Sequence, residues 1–182
     1  MQVNRPAFYT SLRTEKLFTT LTQLQVDSID AILNEAEKQG CSVTQKAYLF
    51  ATAYHECYNP KDPTTRLTPM REFGGEAYLK KKKYYPYVGM GFSQLTWLEN
   101  YRKESKRLGL DLIKEPTLIL HIPTAANSHV FCMMNGRYTG VGLTKYINDK
   151  KTDYVNARRV VNGTDKASVI ADYAVRFERA LG

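Results

Sequence analysis

Residues 42–57 read SVTQKAYLFATAYHEC, and their pattern decides the fold. Ser42 and Gln45 stand at capping-box spacing, where each side chain satisfies an orphan backbone N–H of the other at a helix start. Beyond them Ala47, Phe50, Ala51 and Tyr54 recur at helical spacing and make a core face. At about 100° per residue, Glu56 falls on the opposite side, near Leu49 and Thr52. A helix apolar on several sides is central, so the acid at its end is expected to do more than meet solvent.

Helical spacing continues on both sides of this stretch. In DSIDAILNEAEKQG, Ile29, Ile32, Leu33 and Ala36 form one stripe, with Asp27 or Ser28 as the expected cap and Gly40 as the expected end. Residues 57–88 break the pattern with Pro60, Pro63, Pro69, Gly74, Gly75 and Pro86, and long irregular segments of this kind often line a site. Helical patterns resume at WLENYRKESKRLG, around PTAANSHVFCMMNG, near LTKYIN, and in DYVNARRVVNG. The terminal DKASVIADYAVRFERALG carries a stripe of Val169, Ile170, Tyr173, Ala174, Phe177 and Leu181. The fold class expected is mainly α, with at most a small β element.

A chain of 182 residues with 43% hydrophobic positions can bury roughly two-thirds of its unfolded surface. No repeat or flexible linker divides it, so 1–182 is expected to be one domain, with 1–40 as an N-terminal helical segment. The net charge of +8 favours polyanionic partners: nucleic acid, anionic lipid headgroups or an acidic wall polymer. Cys41, Cys57 and Cys132 fit no disulfide framework or zinc ribbon, and reduced, buried thiols are expected. The opening MQVNRPAFYTSLRTEKLF lacks an apolar h-region, and no apolar run nears the ~18 residues of a membrane span. No export signal and no stable membrane insertion are expected.

Several familiar chemistries fail on spacing. His55-Glu56 begins a zincin motif, but position 59 is Asn where the second imidazole must stand. His129 and Cys132 sit three apart in an apolar helix, where packing is the commoner outcome than zinc ligation, so no metal and no cofactor are expected. No phosphate-binding glycine loop occurs. Lys80 to Lys83 followed by Tyr84, Tyr85 and Tyr87 has the composition of a nucleic-acid track, yet a lysine run is more often a solvated loop, and no specific nucleic-acid partner is expected.

Glu56 admits two readings: a helix-end glutamate paired with an arginine, or a general acid poised by an apolar cleft. Glycoside hydrolysis needs a second carboxylate, and Asp62, Glu72 and Glu76 are near in sequence. The stretch GMGFSQLTWLEN at 89–100 adds glycines that permit close backbone approach, the amide of Gln94 and the hydroxyl of Thr96. Thr96-Trp97-Leu98-Glu99 is also a capping box, and Trp97 fits a core position equally well.

His55-Glu56, then Arg71-Glu72-Phe73-Gly74, then GMGFSQLTWLENY, and finally Asn162-Gly163 with the helix around Arg176 together resemble family 19 of the glycoside hydrolases, in particular its chitinase-like bacteriophage endolysins. The resemblance covers about residues 45–181. It implies a lysozyme-like helical fold with a substrate cleft and an inverting hydrolysis of β-1,4-linked N-acetylated sugars. By position, Glu56 resembles the acid, Glu72 the base and Thr96 the holder of the attacking water. Gln94, Asn100 and Asn162, joined by Tyr87, resemble sugar-binding residues, and Arg176 stands where an arginine orients a catalytic carboxylate. Met90 replaces the arginine usual between the two glycines, and the loop between Glu56 and Glu72 is short, which keeps Glu76 and Asp62 in play.

The basic charge, the absence of a wall-binding module and the reduced cysteines fit an endolysin. Such a protein is held in the host cytoplasm until a holin opens the membrane, and then reaches periplasm and wall. Peptidoglycan glycan strands in the anionic cell envelope are the expected partner, and a monomer the expected state. A chitinase acting on chitin oligomers and a non-catalytic basic polyanion-binding protein are the alternatives.

Overall fold

The computed structural model describes residues 2–182; Met1 lies outside the described residues. The elements in order are α1 (Arg5–Thr14), α2 (Gln23–Lys38), α3 (Val43–Glu56), β1 (Met70–Arg71), α4 (Gly75–Leu79), β2 (Met90–Gly91), α5 (Leu98–Leu108), α6 (Ile122–Met134), β3 (Ile147–Asn148), β4 (Lys151–Thr152), α7 (Tyr154–Ala157) and α8 (Ala167–Leu181). The fold is mainly α, with two small antiparallel pairs, β1–β2 and β3–β4.

α3 is the centre. Ser42 and Gln45 form the capping box, and every residue from Gln45 to Tyr54 is buried. α8 lies along it, and α1 and α7 pack on α8. An aromatic group fills the junction: Phe50 stacks on Phe177 at 5.4 Å, and Tyr54 meets Phe18, Tyr173 and Phe177 edge-on. α2 ends as expected at Gly40 (φ +70°), where Gly40 N–H donates to Glu37 O and Cys41 N–H to Ala36 O, the paired bonds of a Schellman cap. All three cysteines are free and buried.

Four expectations of local structure are corrected. α2 starts before Asp27, because Thr22 and Gln25 form a complete capping box upstream. LTKYIN is a 3₁₀ turn running into β3, since Asn148 Oδ1 accepts from Lys150 N (3.0 Å) and closes a hairpin that a helix cannot contain. DYVNARRVVNG makes only one α-turn before tightening to a 3₁₀ turn. Val169 is 43% exposed, because the face α8 buries runs through Ala167, Ile170, Ala171, Ala174, Phe177 and Ala180. No helix among the described residues is long and apolar enough to cross a membrane.

A second, smaller core gathers Leu79, Val88, Met90, Leu95, Tyr101, Leu112 and Ile119 beneath β2 and α5. The segment 89–95 runs between the two cores: Met90 and Leu95 anchor in the small one, Phe92 in the large one. Beneath this segment His129 is fully buried, with Nε2 against Leu49 O at 3.0 Å and Nδ1 against the Ser93 hydroxyl. Both ring nitrogens are thus engaged, with Ser93 O–H donating to Nδ1 and Nε2–H donating to the carbonyl.

Burial lowers the His129 pKa to about 4. The unfolded imidazole takes a proton near pH 6.5 and the folded one does not, so stability is full above pH 6.5 and falls between there and about 4, by up to ~1.4 kcal/mol per pH unit. Proton NMR should show the His129 ring neutral throughout pH 5–7, and urea melts should weaken across that window. An imidazole titrating near 6.5 in the folded state contradicts the buried geometry.

Candidate active site

Glu56 is the last residue of α3, and the chain turns sharply after it. Cys57 Sγ lies 3.4 Å from Gly91 O and 3.5 Å from Phe92 O, which ties this turn to β2. From the other side, Tyr154 stacks on Tyr48 at 5.9 Å, seating α7 on α3 and bringing the following 3₁₀ turn to the helix end. Arg158 on that turn donates from Nη1 to Glu56 Oε1 at 2.5 Å and from Nε to Asp165 O at 3.1 Å. The Arg158 side chain is 5% exposed and that of Glu56 20%, so the ion pair is largely shielded from water. The pairing of a helix-end glutamate with an arginine is therefore present, and it engages Oε1 alone.

Facing Glu56 is the wall built by GMGFSQLTWLEN. Met70 pairs with Gly91 and Arg71 with Met90, and Met90 also bridges to Leu95, so the wall is a tight folded ribbon. Gln94 takes φ +55° and donates from Nε2 to Met70 O (3.0 Å) and Gly91 O (3.3 Å). Gly89 packs closely here: a Cβ would stand 2.8 Å from Gln94 Oε1 and 3.3 Å from Thr96 Oγ1, so the Gln94 amide would have to shift. Met90, at the position where the resemblance puts an arginine, is 3% exposed and packed in the second core. The expected Thr96 capping box is absent. Trp97 takes φ +78° as the N-cap residue, which turns the Thr96 hydroxyl back to donate to Gln94 O at 2.7 Å.

Glu56, Gln94, Thr96, Asn100 and Asn162 line one cleft of about 250 Å³. Ser93, Trp97 and Tyr138 line it too, and the sequence reading had given none of them a binding role. Asn100 Nδ2 donates to Thr96 O at 2.9 Å, and Asn162 Oδ1 accepts from Gly163 N at 2.8 Å.

Glu72 is not on that lining but directly behind it. Its carboxylate accepts from Tyr84 O–H at 2.7 Å and from Gly89 N–H at 3.1 Å, and Gly89 is the residue against which Gln94 and Thr96 pack. Burial first, and the Glu72 hydrogen bond second, push the Tyr84 hydroxyl up to about 12, so it stays a donor at neutral pH. Glu76 is exposed and committed elsewhere. Tyr85 O–H donates to it at 2.5 Å and Arg71 at 2.9 Å, and these bonds, the tyrosine's first, lower its pKa. Asp62 caps the turn Pro63–Thr65 by accepting from Thr64 N at 3.1 Å. Of the three carboxylates read as partners of Glu56, only Glu72 adjoins the wall.

Two named residues lie elsewhere. Arg176 on α8 donates to the carbonyl of Glu15, at 2.8 Å from Nε, and pairs at 3.8 Å with Asp172. It holds the end of α1, and the arginine that orients Glu56 is Arg158 instead. Tyr87 turns its hydroxyl to Ile113 O at 3.2 Å and its ring to Tyr101, inside the second core rather than in the cleft. Tyr84, Tyr85 and Tyr87 thus commit their hydroxyls to partners within the protein, Glu72, Glu76 and the Ile113 carbonyl.

In fold the chain is similar to chitinase C from Streptomyces griseus HUT6037, with a TM-score of 0.59 and 18% identity over 99% of this chain and 76% of that one. The likeness is one of fold, a mainly helical architecture. No protein-family model and no curated protein sequence matches the chain.

Removing the Arg158 guanidinium leaves a shielded Glu56 carboxylate without its cation, a change that costs on the order of 3 kcal/mol at a buried pair. Arg158→Ala should therefore lower the urea midpoint clearly and Arg158→Lys less. A melting curve of Arg158→Ala equal to that of the parent contradicts the pair.

Proposed function

We propose that this protein is a glycoside hydrolase that cuts the β-1,4-linked N-acetylated glycan backbone of bacterial peptidoglycan and so lyses cells. One observation carries the reading: Glu56, Gln94, Thr96, Asn100 and Asn162, drawn from three separate segments, meet in one cleft. Glu56 supplies the proton to the leaving glycosidic oxygen, and Arg158 steadies the carboxylate that remains. Glu72, oriented by Tyr84 and Gly89, takes the proton of a water held at Thr96. Water attacking from the face opposite the acid inverts the anomeric carbon, which requires the two carboxyl groups to stand roughly 6.5–9.5 Å apart. Gln94, Asn100 and Asn162 offer amides to sugar hydroxyl and acetamido groups.

The net charge of +8 supports peptidoglycan over neutral chitin, because peptide carboxylates and phosphorylated lipid attract a basic protein. In this reading the protein works as a monomer without metal or cofactor, waits in the host cytoplasm and acts on the wall after a holin opens the membrane. The chitin reading has its own support in the name of the structural neighbour, a chitinase.

Glu56→Gln keeps the side chain's shape and removes the transferable proton, and loss of general-acid help costs about two to four orders of magnitude in rate. A turbidity assay on outer-membrane-stripped cells, with mass spectrometry of digested peptidoglycan, reads both activity and the new reducing sugar. A loss smaller than about tenfold in a folded variant removes Glu56 from the acid role. Release of products from chitin oligomers but none from purified peptidoglycan selects the chitinase reading.

A further inference from the structure

Trp97 is the chain's only tryptophan, and it is 52% exposed at the cleft. Exposed apolar side chains are ordinary on regular helices, where Leu24 and Val169 of this chain sit. Trp97 differs from them in its backbone. Its φ of +78° lies in the left-handed region that bulky residues avoid, and a conformation of that kind persists only where the surroundings impose it. They do so from both sides. Trp97 N–H donates to Tyr87 O at 3.0 Å, while Trp97 O accepts from Asn100 N at 3.0 Å and Tyr101 N at 3.1 Å. The ring is framed in turn by Tyr84, edge-on at 5.2 Å, and Tyr84 is itself fixed through its hydroxyl to Glu72.

The protein thus holds a costly backbone state that presents an indole to the cleft instead of burying it. Around it stand the amides of Gln94, Asn100 and Asn162. A pyranose ring is matched to that combination, because its C–H face is apolar and its rim carries hydroxyl and acetamido groups. Ligand sites of this kind pair an aromatic surface with a few placed polar groups.

We propose that Trp97 is the platform on which one N-acetylhexosamine ring stacks in this cleft, with Tyr84 as the positioning residue that sets the indole plane. The inference rests on the glycan-hydrolase reading and adds a binding residue to it. Because Tyr84 also holds Glu72, the stacked sugar and the water-activating carboxylate share one support.

A single tryptophan makes the test direct. In the Glu56→Gln variant, which binds without turnover, a soluble β-1,4-linked N-acetylglucosamine oligomer is titrated while indole emission and heat are recorded. Emission should shift to the blue and follow the same isotherm as the heat. Trp97→Ala should weaken binding about tenfold, with Trp97→Phe retaining most of it. Heat of binding without a change in emission, together with unweakened binding by Trp97→Ala, overturns the platform and leaves the glycan reading intact. Absence of heat with both the oligomer and solubilised peptidoglycan fragments overturns the two together.

Discussion

The ion pair between Glu56 and Arg158 is the contact on which the site depends. A carboxylate at the end of a helix buried from Gln45 to Tyr54 needs a cation, and the chain supplies one from a segment that reaches α3 only by folding α7 over it. The stack of Tyr154 on Tyr48 holds that segment down, so the acid's position reports the packing of the whole C-terminal third. Because Arg158 engages one oxygen only, the arrangement fixes the carboxylate without sealing it away.

Two cores share the strip 89–95, and the strip is the wall of the cleft. Phe92 pulls it toward the large core, while Met90 and Leu95 pull it toward the small one. Gln94, pinned between Phe92 and Leu95, holds a left-handed conformation without being glycine, and Trp97 just beyond holds one through its backbone bonds to Tyr87, Asn100 and Tyr101. Gly89 completes the design by leaving room for Gln94 Oε1 and Thr96 Oγ1 over the backbone that grips Glu72. The wall that faces Glu56, the Thr96 hydroxyl on it and the Glu72 carboxylate behind it are therefore held together as one unit.

What local chemistry specifies was legible in the sequence. The Ser42/Gln45 box, the apolar faces of α2 and α3 and the Gly40 terminus depend on neighbours within one or two turns, and they stand where the residues point. The gathering of Glu56, Gln94, Thr96, Asn100 and Asn162 followed from ordered motifs rather than from periodicity. Contacts made across the fold were not legible. Arg158 and Arg159 are adjacent and chemically identical, and only the 3₁₀ turn after α7 decides which one meets Glu56, while Arg176 was drawn to the Glu15 carbonyl by the packing of α8 on α1. The Thr96 box failed because α5 starts one residue later, with Trp97 as a left-handed cap, and the Thr96 hydroxyl turns back to Gln94 O.

The stereochemistry of the product tests the account most directly, since it reports whether water lies between two carboxylates in the reacting complex. Proton NMR of a β-1,4-linked N-acetylated oligomer, recorded in the first moments of hydrolysis before the anomers equilibrate, resolves the anomer at the new reducing end. Glu56 as acid and Glu72 as water-activating base predict the α-anomer first. Initial release of the β-anomer means that configuration is retained and contradicts the pairing of these two carboxylates across a water.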